Sequence, residues 1–353
     1  IAGCAALVLT GYGLKDAIND IVQNQFQKVF RYDLLAGYSA EDEAEEQALF
    51  DQLESDPDIK EWMPQYRAAI TAVDERHSYE VNLTVSQDYT RLTDFISLQE
   101  RVSRRVLTPE REGAIITEKL GTMLGLRAGD TLTLRDGDNR TYELAIAGVS
   151  ENYASHFVYI SAEYYEEVFG KAPEYNTVIV DLADRDDWAA ASEKLLAGGT
   201  VQMISSDAEL VEQYKNVTDN LGYVVAVLIV SAGLLAFVVQ YNLSNINITE
   251  RQREIATIKV LGFFPKESTS YVFRENRVLT LLGALTGLLM GYFLHSFVMG
   301  QIKVDMICFH VHIAPYSYGA ALIFTFIFEF LVHLFMRRKI QAIPMAESLK
   351  SVE

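Results

Sequence analysis

The pattern of polar and apolar positions changes sharply near residue 221. Before that point the chain is built from short segments that alternate between apolar and polar residues or repeat with a helical period. After it come three long apolar runs, at 221–241, 278–299 and 316–336. Each has roughly 20 residues, the length that an α-helix needs to cross about 30 Å of hydrocarbon. The pattern predicts three transmembrane helices.

The first ten residues are apolar apart from Thr10, and they are too few to cross a bilayer. No basic segment precedes them, as it would in a signal peptide. We therefore interpret residues 1–13 as the remnant of a first transmembrane helix and expect the chain to be part of a longer polypeptide. A short buried helix is the alternative.

Residues 34–205 are predicted to form a mixed α+β domain. Strands are predicted at 32–38, 59–73, 78–85, 113–117, 131–134, 142–149, 158–160 and 177–180, with period-two alternation at 78–85 and an apolar run at 113–117. Helical periodicity predicts helices at 41–55, 118–124 and 187–197. Asp136-Gly137-Asp138 suits a hairpin turn. The flanking segments 14–33 and 206–220 are predicted to form a helical stalk.

Charge is distributed as unevenly as hydropathy. Residues 1–220 hold 40 acidic and 19 basic side chains, whereas residues 221–353 hold 8 and 11. An acidic surface repels phosphates, so nucleic acid is not an expected partner. Six Lys and Arg lie in the loop 242–277 and four in the tail 337–353, but only Lys303 in the loop 300–315.

The positive-inside rule then places 242–277 and 337–353 in the cytoplasm, and 14–220 outside it. The predicted fold is a four-span α-helical transmembrane unit, its first span truncated, with an inserted extracytoplasmic α+β domain. The multi-pass topology makes the lipid bilayer an obligatory partner.

The residues offer no catalytic constellation. Gly-x-Ser-x-Gly and His-Glu-x-x-His are absent, and His77 and His156 stand alone in the sequence. The nucleotide-binding motif Gly-x-x-x-x-Gly-Lys-Ser/Thr is absent too. We expect this chain not to be an enzyme.

Within the apolar runs, Gly283, Gly287 and Gly291 repeat at every fourth residue, which lines one helix face and favours close helix packing. Glu329 and His333 are four residues apart and are positioned to pair on one helix face. With so few ionisable residues in the spans, a channel or proton-coupled carrier is not indicated.

Cys308, His310 and His312 alternate in the outer loop, and thiol and imidazole groups are good ligands for zinc or copper. No fourth ligand is evident, and an apolar loop lying at the membrane interface explains the segment equally well. We predict no metal site and keep these three residues as weak candidates.

Residues 242–262 are predicted to contain a charged amphipathic helix at the cytoplasmic side. Thr249 and Gln252 fit a capping box, and Gly262 is placed to end the helix. Mixed charges favour a protein partner over a lipid surface. The candidate coupling residues are Glu250, Arg251, Arg253, Glu254, Ile255, Ile258, Lys259, Leu261 and Gly262.

The stretch Glu-Arg-Gln-Arg-Glu-Ile-Ala-Thr-Ile-Lys-Val-Leu-Gly-Phe, within 242–263, resembles the coupling region of FtsX/MacB-like ABC transporter permeases. The glycine-rich third span and the tail 337–350 agree with the resemblance. Residues 113–149 are similar to the strand, helix and hairpin portion of the family's extracytoplasmic core domain. The resemblance implies one span, an external domain and three further spans, and the start of the chain resembles the second unit of a duplicated permease.

The resemblance implies a permease of the bacterial plasma membrane that works by mechanotransmission, with no cofactor of its own. A cytoplasmic ABC ATPase dimer would bind the ATP and Mg, with Ile255 and Ile258 in its groove. A second permease unit, in the same polypeptide or a homodimer, would complete the assembly, which would export or extract lipid, lipoprotein, peptide or drug. The alternatives are an FtsX-like transmitter that activates a cell-wall hydrolase protein, and a membrane-anchored sensor without an ATPase.

Overall fold

The computed structural model describes residues 1–108, 112–261, 265–301, 305, 308 and 312–341. The chain separates into two compact units. The helical unit comprises Ile1–Ile18, Thr218–Lys303 and His310–Glu353, and the α/β domain comprises Asn19–Val217 and Val304–Phe309.

The strands of the described residues are β1 Leu34–Tyr38, β2 Ile59–Val73, β3 Ser78–Ser86, β4 Ala114–Thr117, β5 Thr131–Arg135, β6 Thr141–Ser150, β7 Phe157–Ser161, β8 Thr177–Leu182 and β9 Val201–Ser206. The helices are α1 Ala2–Asn24, α2 Glu43–Ser55, α3 Leu92–Phe95, α4 Glu118–Leu124, α5 Ala162–Phe169, α6 Trp188–Ala197, α7 Asp207–Glu250, α8 Gln252–Val260, α9 Pro265–Gln301 and α10 Pro315–Gln341. A π-helical segment, Gln25–Val29, follows α1.

One long strand organises the sheet. The order is β3-β7-β4-β6-β5-β2-β8-β1-β9, and β2 also pairs with β3, so that six of these strands close into a ring. The interior of the ring is filled by fully buried aliphatic side chains such as Leu83, Ile116, Leu144 and Val158. Alternation along the strands dictates this, because every second side chain points to the same face.

The other half of β2 pairs with β8 and carries the open extension β8-β1-β9. Helices α2 and α6 contribute Leu49, Leu53 and Leu195 to a core shared with Leu34 and Val180 on the strands. Helix α2 begins where the Asp42 carboxylate accepts a hydrogen bond from the Glu45 N–H at 2.9 Å, a standard N-cap.

The predicted strands and helices of this domain are confirmed, including the β5–β6 hairpin. There the Asp136 carboxylate accepts the N–H groups of Asp138 and Arg140, at 2.9 and 2.8 Å. Strand β9, helix α5 and the short helix α3 were not predicted. β9 lies at the edge of the sheet and its burial does not alternate, whereas α5 carried readable signals, namely the Ser161 N-cap and Gly170 in the left-handed conformation.

In the helical unit, the described residues contain three helical stretches that are long and apolar enough to cross a membrane: Gly222–Glu250, Val278–Gln301 and Pro315–Met336. Large apolar side chains cover their outer faces, and Val227, Leu282 and Phe330 are each more than half exposed. Exposure of such a large apolar surface is unfavourable in water and favourable in lipid. The predicted fourth span, at residues 1–13, lies within helix α1 and stays a prediction.

Candidate functional site

The predicted coupling helix follows α7 almost without interruption. The Arg251 N–H donates to the Asn247 carbonyl at 3.1 Å, and the Ile255 N–H donates to the Arg251 carbonyl at 3.0 Å. The predicted capping box is wrong, because the Thr249 hydroxyl donates to the Asn245 carbonyl at 2.8 Å and is therefore inside α7. The helical hydrogen bonds continue past Thr249, so no new N-terminus forms there.

Helix α8 presents one face to the rest of its own unit. Ile255 is 1 % exposed and packs in a cluster with Ile248, Val332 and Met336. Ile258 is half-buried. Ile255 is thus held by contacts within this chain, and an acidic residue there would disturb that packing before any partner was met.

The opposite side of this segment is open. Glu250, Arg253 and Glu254 are exposed, and the apolar side chains of Val260 and Leu261 are 56 % and 71 % exposed. Arg251 is half-buried. The side chain of Lys259 and the whole of Gly262 lie outside the described residues. The coupling role of the predicted set stays a prediction, and Leu261 is its most accessible apolar member.

The three glycines of α9 face helix α1. A Cβ atom on Gly287 would lie 2.6 Å from both the Ala2 carbonyl oxygen and Ala5 Cβ. One on Gly291 would lie 3.0 Å from Leu9 Cβ, and one on Gly283 would lie 3.0 Å from Ile1 Cγ2. The backbones approach so closely that no larger side chain fits at Gly287 without a shift of α1. This geometry suits the packing role predicted for the glycine face.

A buried carboxylate joins α1 to the start of α10. Asp16 is 3 % exposed and accepts hydrogen bonds from the Ala314 N–H at 3.1 Å, the Ser317 hydroxyl at 2.6 Å and the Tyr316 hydroxyl. Carboxylates near helix N-termini satisfy free N–H groups and oppose the positive end of the helix dipole. From the sequence, Asp16 is expected only to belong to the stalk segment 14–33, although an acidic residue so near an apolar segment was a usable signal.

The predicted pair on α10 is formed, with His333 Nε2 and Glu329 Oε1 3.8 Å apart. Glu329 is 6 % exposed and lines a small cavity of about 20 Å³ together with Gly233, Gln240 and Thr280. The Gln240 amide donates to the Thr280 hydroxyl at 3.3 Å, so the polar groups of this cavity are linked across α7 and α9.

The weak metal candidates are only partly described, since His310 lies outside the described residues. In the described part of the chain, no three His, Cys, Asp or Glu side chains are grouped to hold a metal. The Cys308 N–H donates to the Tyr153 carbonyl at 2.9 Å, and burial raises the pKa of its thiol. The prediction for these residues stays open.

The π-helical segment packs onto the α/β domain through Phe26 and Val29 and through the amide of Gln25. Gln25 is fully buried, and its Oε1 accepts the N–H groups of Tyr153 and Ala154 at 2.8 and 3.1 Å. The Arg101 guanidinium lies over the ring of Tyr153, 4.7 Å from the ring centroid, and Arg101 also pairs with Glu118 at 2.6 Å. The segment is thus held to the domain by both apolar and polar contacts.

The α/β domain also carries an open cleft of about 470 Å³. Its lining includes Tyr38, Glu46, Tyr66, Glu174 and Tyr175. The Tyr38 hydroxyl donates to the Glu46 carboxylate at 2.6 Å. The cleft is aromatic and acidic, and it is not the apolar cavity that a lipid chain requires.

This chain was compared with protein-family models, with curated proteins and with solved structures. The model of the FtsX-like permease C-terminal domain matches residues 226–345, and the model of the MacB-like periplasmic core domain matches residues 1–197. A comparison with curated proteins found no match.

Among solved structures, the extracellular domain of the noncanonic ABC-type transporter YknZ from Gram-positive bacteria is 16 % identical, covering 49 % of this chain and 98 % of that one, with a TM-score of 0.33. The periplasmic region of MacB from Actinobacillus actinomycetemcomitans is 12 % identical, covering 53 % and 94 %, with a TM-score of 0.34. A domain of a putative permease from Porphyromonas gingivalis is 14 % identical, covering 48 % and 84 %, with a TM-score of 0.26.

The two family models together span the mixed α+β domain and the apolar helices. They agree with the family that the motif in the coupling region indicated. The periplasmic core model alone matches more than half of the 353 residues. This chain belongs to the FtsX/MacB-like family of ABC transporter permeases.

Proposed function

We propose that this chain is a transmembrane subunit that converts the motion of a separate cytoplasmic ATPase dimer into movement of its extracytoplasmic domain. In this mechanism the ATPase displaces α8, and α7 carries the displacement outward. A second permease unit completes the assembly in the bacterial plasma membrane. The mechanism serves export or extraction of lipid, lipoprotein, peptide or drug, and none of these has to pass between the membrane helices.

The observation that carries the proposal is the length and continuity of α7. It runs for 44 residues from the end of β9 to the turn before α8. At 1.5 Å per residue this is about 66 Å, roughly twice the thickness of the hydrocarbon core. An uninterrupted helix resists compression and bending, so a displacement of one end also displaces the other end.

The placement of the exposed and buried side chains of α8 supports the same proposal. Leu261, Val260, Arg253 and Glu254 have exposed side chains, while Ile255 is buried against α10. A force applied to the exposed side therefore reaches the packed helices through Ile255. Charged side chains around an exposed apolar residue are typical of protein–protein contacts.

Co-purification of the full-length protein with its ATPase tests the partner. Leu261→Asp should remove the ATPase, because a charge would be buried in the contact. Val102→Asp, at a residue 95 % exposed in the α/β domain, is the matched control and should keep it. Wild-type protein that brings no ATPase in mild detergent would overturn the proposal.

A proline in α7 tests the transmission separately. Asn220→Pro breaks the helix at an exposed position, whereas Asn220→Ala keeps it. In the wild-type protein and in Asn220→Ala, we expect the amide hydrogen-exchange rates of β8 and β9 to differ between the nucleotide-free and the vanadate-trapped state. The proline variant should retain the ATPase and lose this change. If it responds like the wild type, α7 is not the transmitting element.

A further inference from the structure

A second cavity of the α/β domain lies where the chain leaves the sheet for α7. It has a volume of about 220 Å³. Its lining includes Phe26 of the π-helical segment, Asp33 before β1, Arg185 and Trp188 at the start of α6, and Asp207 and Val211 at the start of α7. The cavity is distinct from the aromatic and acidic cleft described above.

The two carboxylates of this cavity differ in their partners. Asp33 is satisfied, because its Oδ1 lies 2.5 Å from Arg185 Nε and its Oδ2 accepts the Leu182 N–H at 2.9 Å. Asp207 is 6 % exposed, and its Oδ2 has no hydrogen-bond partner among the residues that the structure describes. A buried carboxylate oxygen without a partner is costly, and few such groups persist in folded proteins.

The charge state of Asp207 depends on whether a cation is beside it. Burial is the main cause that raises the pKa of Asp207 to about 8, and Asp33 also acts to raise it, while Arg185 and Arg67 oppose the shift. Without a further cation the carboxyl is therefore largely protonated near pH 7, and Arg185 is already held by Asp33. A cation bound against Oδ2 would favour the ionised carboxylate and would supply the partner that this oxygen lacks among the described residues.

The walls determine which cation fits. Phe26, Trp188 and Val211 are apolar, and a tryptophan ring attracts a cation placed over its face. A hard metal ion takes six or more oxygen ligands, which a single unpartnered carboxylate cannot provide. A volume of about 220 Å³ suits one small group and not a whole lipid.

We propose that this cavity binds a primary ammonium group carried on a short apolar body, with Asp207 as its counter-ion and Trp188 beside it. The group is the end of a lysine side chain in a polypeptide or a free arylalkylamine. The site goes beyond the coupling mechanism, since its occupancy does not require the ATPase.

Tryptophan fluorescence of the 353-residue chain in detergent tests the proposal. This chain has two tryptophans, so Trp62→Phe leaves Trp188 as its single reporter. The probes are 2-phenylethylammonium, Nα-acetyl-lysine methylamide and, as the uncharged control, 2-phenylethanol. We expect saturable quenching by a cation and at least tenfold weaker response to 2-phenylethanol.

Asp207→Asn should weaken binding of the cation at least tenfold, because it removes the counter-ion and keeps the shape. Asp138→Asn, in the exposed β5–β6 turn, should leave binding unchanged. Tighter binding of Nα-acetyl-lysine methylamide would indicate that the natural ligand is a lysine side chain of a polypeptide. Tighter binding of 2-phenylethylammonium would indicate that it is a free arylalkylamine. Equal binding of 2-phenylethanol, a folded Asp207→Asn variant that binds the cation as tightly as the wild type does, or no saturable response to either cation would overturn the proposal.

Discussion

The sheet of the α/β domain and helix α9 of the helical unit place their large apolar side chains differently. In the ring of the sheet, Leu144 and Val158 are fully buried. On α9, Leu282 and Leu289 are 56 % and 60 % exposed, while Gly287 faces α1. Removal of apolar surface from water stabilises the first unit. In lipid that gain is absent, so at the contact between α9 and α1 small residues that allow close backbone packing are used.

The largest expected effect comes from a large residue at the glycine face. Gly287→Leu should destabilise the helical unit by about 3 kcal/mol or more, because its Cβ alone would lie 2.6 Å from the backbone of Ala2. The measurement is maleimide labelling of Cys4 on α1, in a Cys308→Ser background that leaves it the single cysteine. Labelling should become faster.

The matched control is Gly319→Leu, since nothing lies within 4 Å of a Cβ at Gly319. It should label at the parental rate. A Gly287→Leu protein that labels no faster than this control would mean that helix packing at the glycine face does not protect Cys4.

The same leucine truncation should have different effects in the two units. Leu144→Ala removes a side chain from a closed apolar core and should cost about 3 kcal/mol of unfolding free energy. Both tryptophans, Trp62 and Trp188, belong to the α/β domain, so their fluorescence reports its unfolding selectively.

Leu282→Ala, on the exposed face of α9, should leave that fluorescence transition and the Cys4 labelling rate nearly unchanged. Equal destabilisation by the two truncations would show that the lipid-facing assignment of Leu282 is wrong.

The smallest effect is a pH dependence at the start of α7. The pKa of Asp207 is raised from 3.8 to about 8 in the folded protein, so the folded state binds its proton more tightly than the unfolded chain does. The stability that this proton contributes is complete below pH 4 and is lost as the pH rises towards 8. Asp207→Asn cannot ionise and should escape this loss.

We expect the variant to be more stable than the wild type by roughly 2 kcal/mol at pH 8, after relaxation of the site reduces the full cost of the buried charge. The advantage should shrink towards pH 5 and stay constant above pH 9. Thermal unfolding followed by tryptophan fluorescence across this range provides the measurement. An advantage that does not vary with pH would indicate that Asp207 is ionised throughout.

Elements with a strong local pattern were predictable, and those that depend on distant contacts were not. Strand β3 alternates Tyr79, Val81, Leu83 and Val85 with polar residues, and its hairpin pairing with β2 follows from adjacency in the chain. Edge strand β9 gave no such signal, since its pairing with β1 alone makes it a strand. Thr249 was misread as an N-cap because its side chain has the right chemistry, whereas the hydrogen bond to Asn245 keeps it within a longer helix.

The sequence by itself determined the division into a water-soluble α+β region and apolar helices, because hydropathy and period act locally along the chain. It also carried the family, through the charged motif after residue 249. Only the tertiary structure decided that Ile255 is an interior residue, that Asp16 caps α10, and that Oδ2 of Asp207 is buried without a hydrogen-bond partner among the described residues. Each of these depends on residues far apart in the sequence, and the local period shows which face of an element is buried but not which distant residues that face meets.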